Sequence, residues 1–345
     1  MARRVVIGVD GFGEMTVSDD GEPLSEPQNI RELVAEGVLA EESGLDFFGL
    51  GEHHIEEIPL PAPDLVLAAI AARTSRIHLG SAVTVLSSDD PVRVFQRYAT
   101  LDALSSGRAE VILGRGSSIE SFPLFGFDLA DYDRLFEEKL ELFARLRTEQ
   151  PVTWSGTTRA ALPGLQVYPR TAGGALPTWV GVGGNPASVV RAARHGLSLM
   201  LAIIGGNPAR FARLSALFRE ATAQSGMAPL PIGVHSPGHV AATDDLAKEE
   251  YWPTYETFLL DVRKQRGFPK ITREYFEHEV EYGSLYVGSP ETVARRIART
   301  MTALDADRFD LKYGMGPMPH ATLMTNLRLF GTEVAPRVRE QLRKR

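Results

Sequence analysis

Three short segments combine residue types that could move a proton or bind an anion. His53 and His54 follow an apolar run, and imidazole titrates near neutral pH, so a histidine here could donate or accept a proton. Arg115 stands between two glycines, where a guanidinium could hold a phosphate through two hydrogen bonds. The stretch 181–188 places glycines before a helix start, an arrangement whose backbone N–H groups suit a phosphate.

Each segment also has a purely structural interpretation. The glycines could form a tight turn between strand and helix, Arg115 could make a surface ion pair, and a histidine could be a satisfied core residue. The dinucleotide pattern G-x-G-x-x-G, the Walker loop and the G-x-S-x-G serine elbow are all absent. Taken together, Arg115 and the glycine-rich turn favour a ligand that carries a phosphate.

No metal site is expected. The chain has no cysteine, and the adjacent His53 and His54 have poor geometry for one ion. His235 and His239 are separated by Ser-Pro-Gly, which excludes their arrangement on one helical face.

The elements that position these segments alternate along the chain. Apolar, β-branched runs predict strands at 4–10, 47–50, 77–83, 109–113, 177–182, 199–203, 232–240 and 309–313. Amphipathic stretches between them predict helices. Eight βα units without a break in composition favour one (β/α)8 TIM barrel over residues 1–345, rather than a doubly wound sheet. The functional segments then meet at the carboxyl ends of the strands.

Two stretches interrupt the alternation. Residues 148–176, after the fourth strand, are rich in Gly, Pro and Thr and predict an excursion off the barrel. Residues 251–286, before the eighth strand, are rich in aromatic side chains. They could be an ordinary helical hairpin or a lid over the pocket, and as a pocket wall they would favour an apolar or aromatic organic substrate.

Composition excludes several classes of function. The 345 residues include 37 basic and 44 acidic ones, a net charge of −7, and no basic cluster suggests a nucleic-acid partner. The absence of cysteine excludes disulfides, iron–sulfur clusters and a cysteine nucleophile. No apolar run has the length of a signal peptide or membrane span, so we expect a cytoplasmic protein with no membrane partner.

A series of short motifs resembles the bacterial luciferase-like family of flavin-dependent monooxygenases. In chain order they are GLD at 44–46, EHH at 52–54, LGSAV at 79–83, DPVR at 90–93, LD at 101–102, SGR at 106–108, GRG at 114–116, ARHGL at 193–197, VGSPE at 287–291 and LFG at 329–331. They are weak singly but specific in combination, and they span essentially the full chain.

The resemblance implies a barrel, usually a homodimer, that binds reduced FMN at its mouth. The flavin typically comes from a separate NAD(P)H:flavin reductase and forms a C4a-peroxyflavin with O2, which oxygenates a small organic substrate. His53 matches the family's active-site histidine, and Ala82-Val83 matches a non-prolyl cis peptide beneath the isoalloxazine ring. Arg115 matches the phosphate-binding arginine. The expected cofactor-binding set is Ala82, Val83, Gly114, Arg115, Val182, Gly183, Gly184, Asn185 and Ser188.

Departures from the pattern leave alternatives. Light-emitting subunits carry Cys where this chain has Gly114, and an acidic residue of their phosphate loop is replaced near Gly184, so luminescence and an aldehyde substrate are not expected. The same fold family includes deazaflavin-dependent enzymes that transfer hydride, which is our second hypothesis. A flavin-binding protein without turnover is the third.

Overall fold

A closed barrel of parallel strands forms the centre of the molecule. The computed structural model describes residues 5–18, 20–116, 120–148, 150–266 and 271–344, with the side chains of 261–266 excepted. Its barrel strands are β1 (Val6–Gly11), β2 (Phe47–Leu50), β3 (His78–Ser81), β4 (Ala109–Gly114), β5 (Thr178–Val182), β6 (Ser198–Ala202), β7 (Ile232–Val240) and β8 (Arg308–Lys312). Each pairs in parallel with its neighbours, and β8 pairs with β1 to close the ring. The predicted (β/α)8 fold is confirmed.

Predicted and observed strands differ most at β3. The sequence predicts a strand over 77–83, but β3 ends at Ser81 and its pairing with β4 stops at Gly80. The backbone resumes as the short strand Thr84–Val85, in which Thr84 pairs with Leu113 of β4. Residue 4, the first of the predicted first strand, lies outside the described residues.

Helices surround the barrel. They are α1 (Glu26–Glu42), α2 (Pro63–Ala71), α3 (Pro91–Leu104), α4 (Ser121–Phe125), α5 (Tyr132–Thr148), α6 (Pro186–Arg194), α7 (Ala212–Gln224), α8 (Asp244–Arg266), α9 (Arg273–Tyr282), α10 (Pro290–Ala303), α11 (His320–Leu329) and α12 (Ala335–Arg343). Shorter helical turns occur at Leu86–Ser88, Leu129–Asp131, Pro208–Phe211 and Phe330–Val334. Among the helices described, none combines the length and apolar character needed to cross a bilayer.

Both predicted excursions leave the barrel. Between α5 and β5 the chain forms an antiparallel hairpin of Val152–Trp154 with Leu162–Leu165. Between β7 and α10 it forms α8, α9 and a strand, Tyr286–Gly288, which pairs with the end of β7. Several aromatic side chains of this second excursion are core residues: Tyr251 and Phe276 are fully buried, and Tyr251 stacks on His239. Phe268, another of its aromatic residues, lies outside the described residues.

The interior of the barrel changes character along its axis. Large side chains fill the middle, where Phe47, Ile112, Trp179 and Met200 form one cluster. The Arg308 guanidinium lies 3.6 Å from the centroid of the Phe47 ring in this layer. Toward the carboxyl ends, the inward positions of β2 to β6 carry glycine or alanine: Gly49, Gly51, Ala82, Gly114, Gly181 and Ala202. Because strand residues alternate between faces, these small residues leave a depression at the mouth.

Candidate active site

A flat floor lies where β3, β4 and β5 end. The Ala82–Val83 peptide bond is cis, as the resemblance implies. The Val83 side chain occupies the space above two glycines, since a Cβ on Gly114 would stand 2.4 Å from Val83 Cγ2 and one on Gly181 would stand 3.3 Å from Val83 Cγ1. Beyond them, a Cβ on Gly183 or Gly184 would meet no described atom within 4 Å. The backbone here is open to a planar ligand.

Arg115 lies at the rim of this floor. Its Nη1 donates to Asp133 Oδ1 at 2.7 Å, and its guanidinium lies 5.2 Å from the centroid of the Tyr132 ring. The side chain of Asp133 is 80% exposed, so this ion pair is a solvated one of small net energy. An incoming phosphate could therefore replace Asp133 as the partner of Arg115.

The start of α6 forms the other side of the rim. Asn185 is the N-cap, and its side-chain oxygen accepts from the N–H of Ala187 at 2.9 Å. Ser188 is buried in the first turn, and its hydroxyl accepts from Arg191 Nη1 at 3.4 Å. The cap uses the Asn185 oxygen, so this residue could offer a phosphate only its amide or backbone groups.

Arg191 was missed by the sequence analysis. Its Nε pairs with Glu137 of α5, and it stands one helical turn after Ser188 on α6. Arg191 could have been predicted from its spacing, because it follows Ser188 by three residues and residues three apart share a helix face. The rim thus has two guanidiniums, Arg115 and Arg191, each beside a carboxylate.

His53 faces the mouth and is held by a carboxylate. Its Nδ1 lies 3.1 Å from Glu120 Oε1, and its side chain is 11% exposed. Burial raises the pKa of Glu120, but the hydrogen bond and charge of His53 outweigh it and leave this pKa below its usual value. An ionised Glu120 accepts from the Nδ1–H of His53. No hydrogen bond to Nε2 is present among the described residues, so this nitrogen can exchange a proton. Sequence analysis missed Glu120.

His54 does not share this orientation. Its Nε2 bonds Glu52 Oε1 at 3.0 Å, and its ring lies edge-on against Phe125. Adjacent side chains point in different directions, and the two histidines bond different carboxylates. Glu52 also accepts from the N–H of Val85 at 2.9 Å, so His54 and the segment after Val83 are tied together.

A second group of polar side chains, also missed by the sequence analysis, lies across the mouth. His235 on β7 has its Nδ1 2.7 Å from Asp10 Oδ2 on β1. The Phe12 ring is near both histidines, with its centroid 4.9 Å from that of His53 and 6.3 Å from that of His235. Lys312 Nζ, at the end of β8, stands 4.3 Å from the Phe12 centroid and donates to Glu14.

These side chains divide the mouth into two halves. One half has a glycine floor, two guanidiniums and a helix start, and it fits a planar group that carries a phosphate. The other half has carboxylate-bonded imidazoles, Phe12 and a buried lysine paired with Glu14, and it offers an aromatic face and imidazole groups to an organic molecule. Among the described residues, no three His, Asp or Glu side chains converge as a metal cluster.

Comparison with known proteins gives the family. A profile described as luciferase-like monooxygenase matches residues 12–308, so the chain belongs to that family. It is therefore an oxidoreductase of the luciferase-like class, in agreement with the resemblance in its motifs.

Three solved structures illustrate the range of that fold. Monooxygenase RslO1 from Streptomyces bottropensis is 26% identical, with a TM-score of 0.81 over 96% of this chain and 99% of its own. The oxygenating constituent of 3,6-diketocamphane monooxygenase from Pseudomonas putida, in complex with FMN, is 20% identical, with a TM-score of 0.75 over 96% and 98%. An F420-dependent secondary alcohol dehydrogenase is 18% identical, with a TM-score of 0.74 over 97% and 99%, and F420 is a deazaflavin.

Proposed function

We propose that this protein is a monooxygenase that uses reduced FMN, O2 and a small organic substrate. One observation carries the proposal: the backbone is open at Gly183 and Gly184, next to two guanidiniums. The His53–Glu120 pair lies at the same end of the barrel. A reduced flavin bound there supplies the two electrons that let one oxygen atom of O2 enter the substrate while the other leaves as water.

The residues of the floor and rim have separable tasks in this proposal. Val83 and the glycines at 114, 181, 183 and 184 support the ring system, with Ala82 and Val182 forming the adjacent backbone. Arg115, Arg191 and the first turn of α6 at Asn185 and Ser188 bind the phosphate, where a helix N-terminus adds a favourable dipole.

His53 has the chemical task. Its Nε2, left free by the bond of Nδ1 to Glu120, holds or transfers a proton beside the reacting oxygen. Its burial in the mouth, together with Phe12, keeps bulk water from the reaction.

FMN fits the rim better than a deazaflavin cofactor. The tail of a deazaflavin is longer and more acidic, whereas the two guanidiniums already face Asp133 and Glu137. Two arginines suffice for one phosphate, and the neighbouring carboxylates would repel further negative charge. The F420-dependent structural neighbour keeps hydride transfer as the second candidate.

We propose a separate NAD(P)H:flavin reductase as the source of reduced flavin, and a homodimer as the assembly. Both follow from the family resemblance. Sedimentation of the purified chain tests the dimer, and activity with chemically reduced FMN in place of a reductase tests the supply.

The deciding experiment is an anaerobic titration with reduced FMN and, separately, reduced deazaflavin, followed by rapid mixing with oxygenated buffer. We expect tight binding of FMN and a transient absorbing species before oxidised flavin appears. Preference for the deazaflavin, with no reaction toward oxygen, would contradict the proposal and support hydride transfer.

Arg115→Ala tests the phosphate site. We expect FMN to bind about 2 kcal/mol more weakly, roughly thirtyfold, because a charge-assisted hydrogen bond is lost. Arg145→Ala is the matched control, since Arg145 pairs with Glu141 further along α5. Equal affinity in the two variants would remove Arg115 from the phosphate site.

A further inference from the structure

The Asp10–His235 pair is not used by the proposed flavin site. His235 is on β7 and Asp10 is on β1, and β8 lies between these strands. A carboxylate only accepts hydrogen bonds, so the 2.7 Å contact puts the proton of a neutral imidazole on Nδ1 and leaves Nε2 as an acceptor. Among the described residues, no partner occupies Nε2, and the side chain is 11% exposed.

Neighbouring side chains cover two sides of the His235 imidazole. Below His235 on the inner face of β7, the next inward residue is Gly233, whose place is filled by Met200. Asp10 is 1% exposed and fixes the other edge of the imidazole ring. The exposed part of His235 therefore faces the mouth, where the Phe12 ring lies 6.3 Å from the imidazole.

The surroundings of His235 combine an aromatic ring with an ammonium group that is paired with Glu14. The Phe12 ring is nearly parallel to the imidazole, at 14°. The ammonium group of Lys312 lies 4.3 Å from the centroid of Phe12 and 5.8 Å from that of Phe258 on α8. Flat aromatic faces favour a planar molecule, and the Lys312 ammonium, which Glu14 and the Gly314 carbonyl share, is the cation beside this ring.

On these grounds we propose that His235 is a base toward a substrate with a hydroxyl group on an sp2 carbon, a phenol or an enol. The substrate O–H bond breaks, its electron pair stays on oxygen, and the proton forms an N–H bond at Nε2. Asp10 is the positioning residue, because it fixes the tautomer and stabilises the resulting imidazolium. An aliphatic alcohol is too weak an acid for this step, whereas a phenol has the acidity of a tyrosine side chain.

This inference rests on the proposed function and deepens it. Negative charge on the oxygen raises the electron density of the attached ring or double bond. That carbon framework then accepts an oxygen atom more readily, so deprotonation at His235 prepares the substrate for oxygenation.

Several charged groups share the surroundings of His235. On β8, Asp310 and Lys312 are the register partners of His235 and Pro237. Lys312 is bonded to Glu14, and the Phe12 ring that neighbours His235 also neighbours His53. On β6 the register partner is the uncharged Ala202. Asp10 is the group in direct contact, so its removal should affect the basicity of His235 most.

The test uses 4-nitrophenol as the probe, because its anion absorbs visible light. The full chain is titrated with the probe at a pH where the free probe is mostly neutral, and 4-nitroanisole, which has no hydroxyl proton, is the matched ligand. We expect the wild-type protein to bind the probe as the anion. It should bind 4-nitroanisole at least about tenfold more weakly, as for a lost hydrogen bond to a charged group.

Variants assign the proton. In His235→Gln we expect the probe to bind in its neutral form, with affinity for 4-nitroanisole unchanged. In Asp10→Asn the anion should appear only at higher pH, a shift that a merely structural role would not produce. His54→Gln and His53→Gln should both keep the bound anion.

The opposing outcomes are equally definite. Neutral probe in the wild-type protein, anion in His235→Gln, equal affinity for the two ligands, or no binding of the probe would each overturn the inference. FMN binding to the same samples separates the two proposals. Normal FMN binding without the bound anion defeats only the role of His235, and the bound anion without FMN binding defeats only the proposed function.

Discussion

At the scale of single residues, the mouth repeats one arrangement. His53 is bonded to Glu120 and His235 to Asp10, in each case through Nδ1 at hydrogen-bond distance. A carboxylate on Nδ1 sets the tautomer and orients Nε2, as in other sites where imidazole moves protons. Both imidazoles lie near the Phe12 ring, but they are bonded to different carboxylates.

His53→Gln should separate binding from chemistry. The floor and rim proposed to hold FMN do not include the imidazole ring, so we expect flavin affinity to change less than twofold. Product formation should fall by about 100-fold or more, the usual contribution of a positioned proton donor or acceptor. Single-turnover oxidation of bound reduced FMN measures the first step, and product yield measures the second. Full activity in this variant would make His53 a structural residue.

Glu120→Gln complements that substitution. A glutamine keeps the size of the side chain but can donate its amide to Nδ1 and so reverse the tautomer. We expect the pH dependence of product formation to shift while FMN affinity stays the same. An unchanged pH profile would show that Glu120 does not orient His53.

At the scale of elements, the ends of β3 to β5 and the start of α6 build the floor. Small residues occupy the inward positions of several strands at one level, which keeps bulky side chains away from the mouth. Gly183 follows the inward positions 179 and 181 of β5, and a Cβ there would meet no described atom within 4 Å. The space above it is therefore open rather than packed core.

Gly183→Ala should weaken FMN binding without destabilising the fold. The added methyl group meets open space in the free protein, and Gly183 has no positive φ, so the free energy of unfolding should stay within about 0.5 kcal/mol. We expect at least tenfold weaker FMN binding, because the methyl group occupies the place of the ring or its side chain. Urea unfolding and fluorescence titration measure the two quantities.

Gly173→Ala is the control for that substitution. Gly173 lies in the excursion between α5 and β5, also has open space and also has no positive φ. FMN affinity should match that of the wild-type protein. If the Gly183 and Gly173 variants bind FMN equally well, the floor is not the flavin site.

At the scale of the whole molecule, a buried ionic group ties the middle of the barrel together. Arg308 bonds Glu110 on β4 and Asp310 on its own strand, each at 2.7 Å, and Glu110 also contacts His78 on β3. Burial raises the pKa of Glu110, but the charge of Arg308 and the bonds from His78 and Arg308 outweigh it and lower this pKa to about 2.

Glu110→Gln should alter the acid stability of the fold. Because the folded pKa is below the unfolded value of 4.5, the ionised Glu110 stabilises the fold above pH 4.5, and this contribution is lost as the pH falls toward 2. A shift of this size corresponds to about 3 kcal/mol. The difference in unfolding free energy between wild type and variant should therefore be large above pH 4.5 and should shrink below it.

Urea unfolding across that pH range measures the difference, with the exposed Glu56→Gln as the control. A constant difference at every pH would show that the Glu110 variant acts through packing rather than through its charge.

The sequence predicted the fold well because strands and helices alternate in local patterns. Each of the eight barrel strands has a predicted counterpart, and both excursions leave the barrel where composition changes. The site was predicted only in part. Glu120 bonds His53, 67 positions away, and Asp10 bonds His235, 225 positions away. Local sequence spacing cannot predict contacts between residues so far apart in the chain. The binding roles of Arg115 and the segment 181–188 stay predictions.

The Arg308 layer in the middle of the barrel determines how small molecules reach the site. Arg308 fills the described barrel axis together with Phe47, Ile112, Trp179 and Met200. This layer blocks passage along the axis, so small molecules reach the site through the mouth. Under the proposed function, reduced flavin and substrate enter through the same opening. A substrate that binds first therefore blocks the entry of the flavin. We therefore expect substrate inhibition: at high substrate concentration the turnover rate should fall rather than reach a plateau.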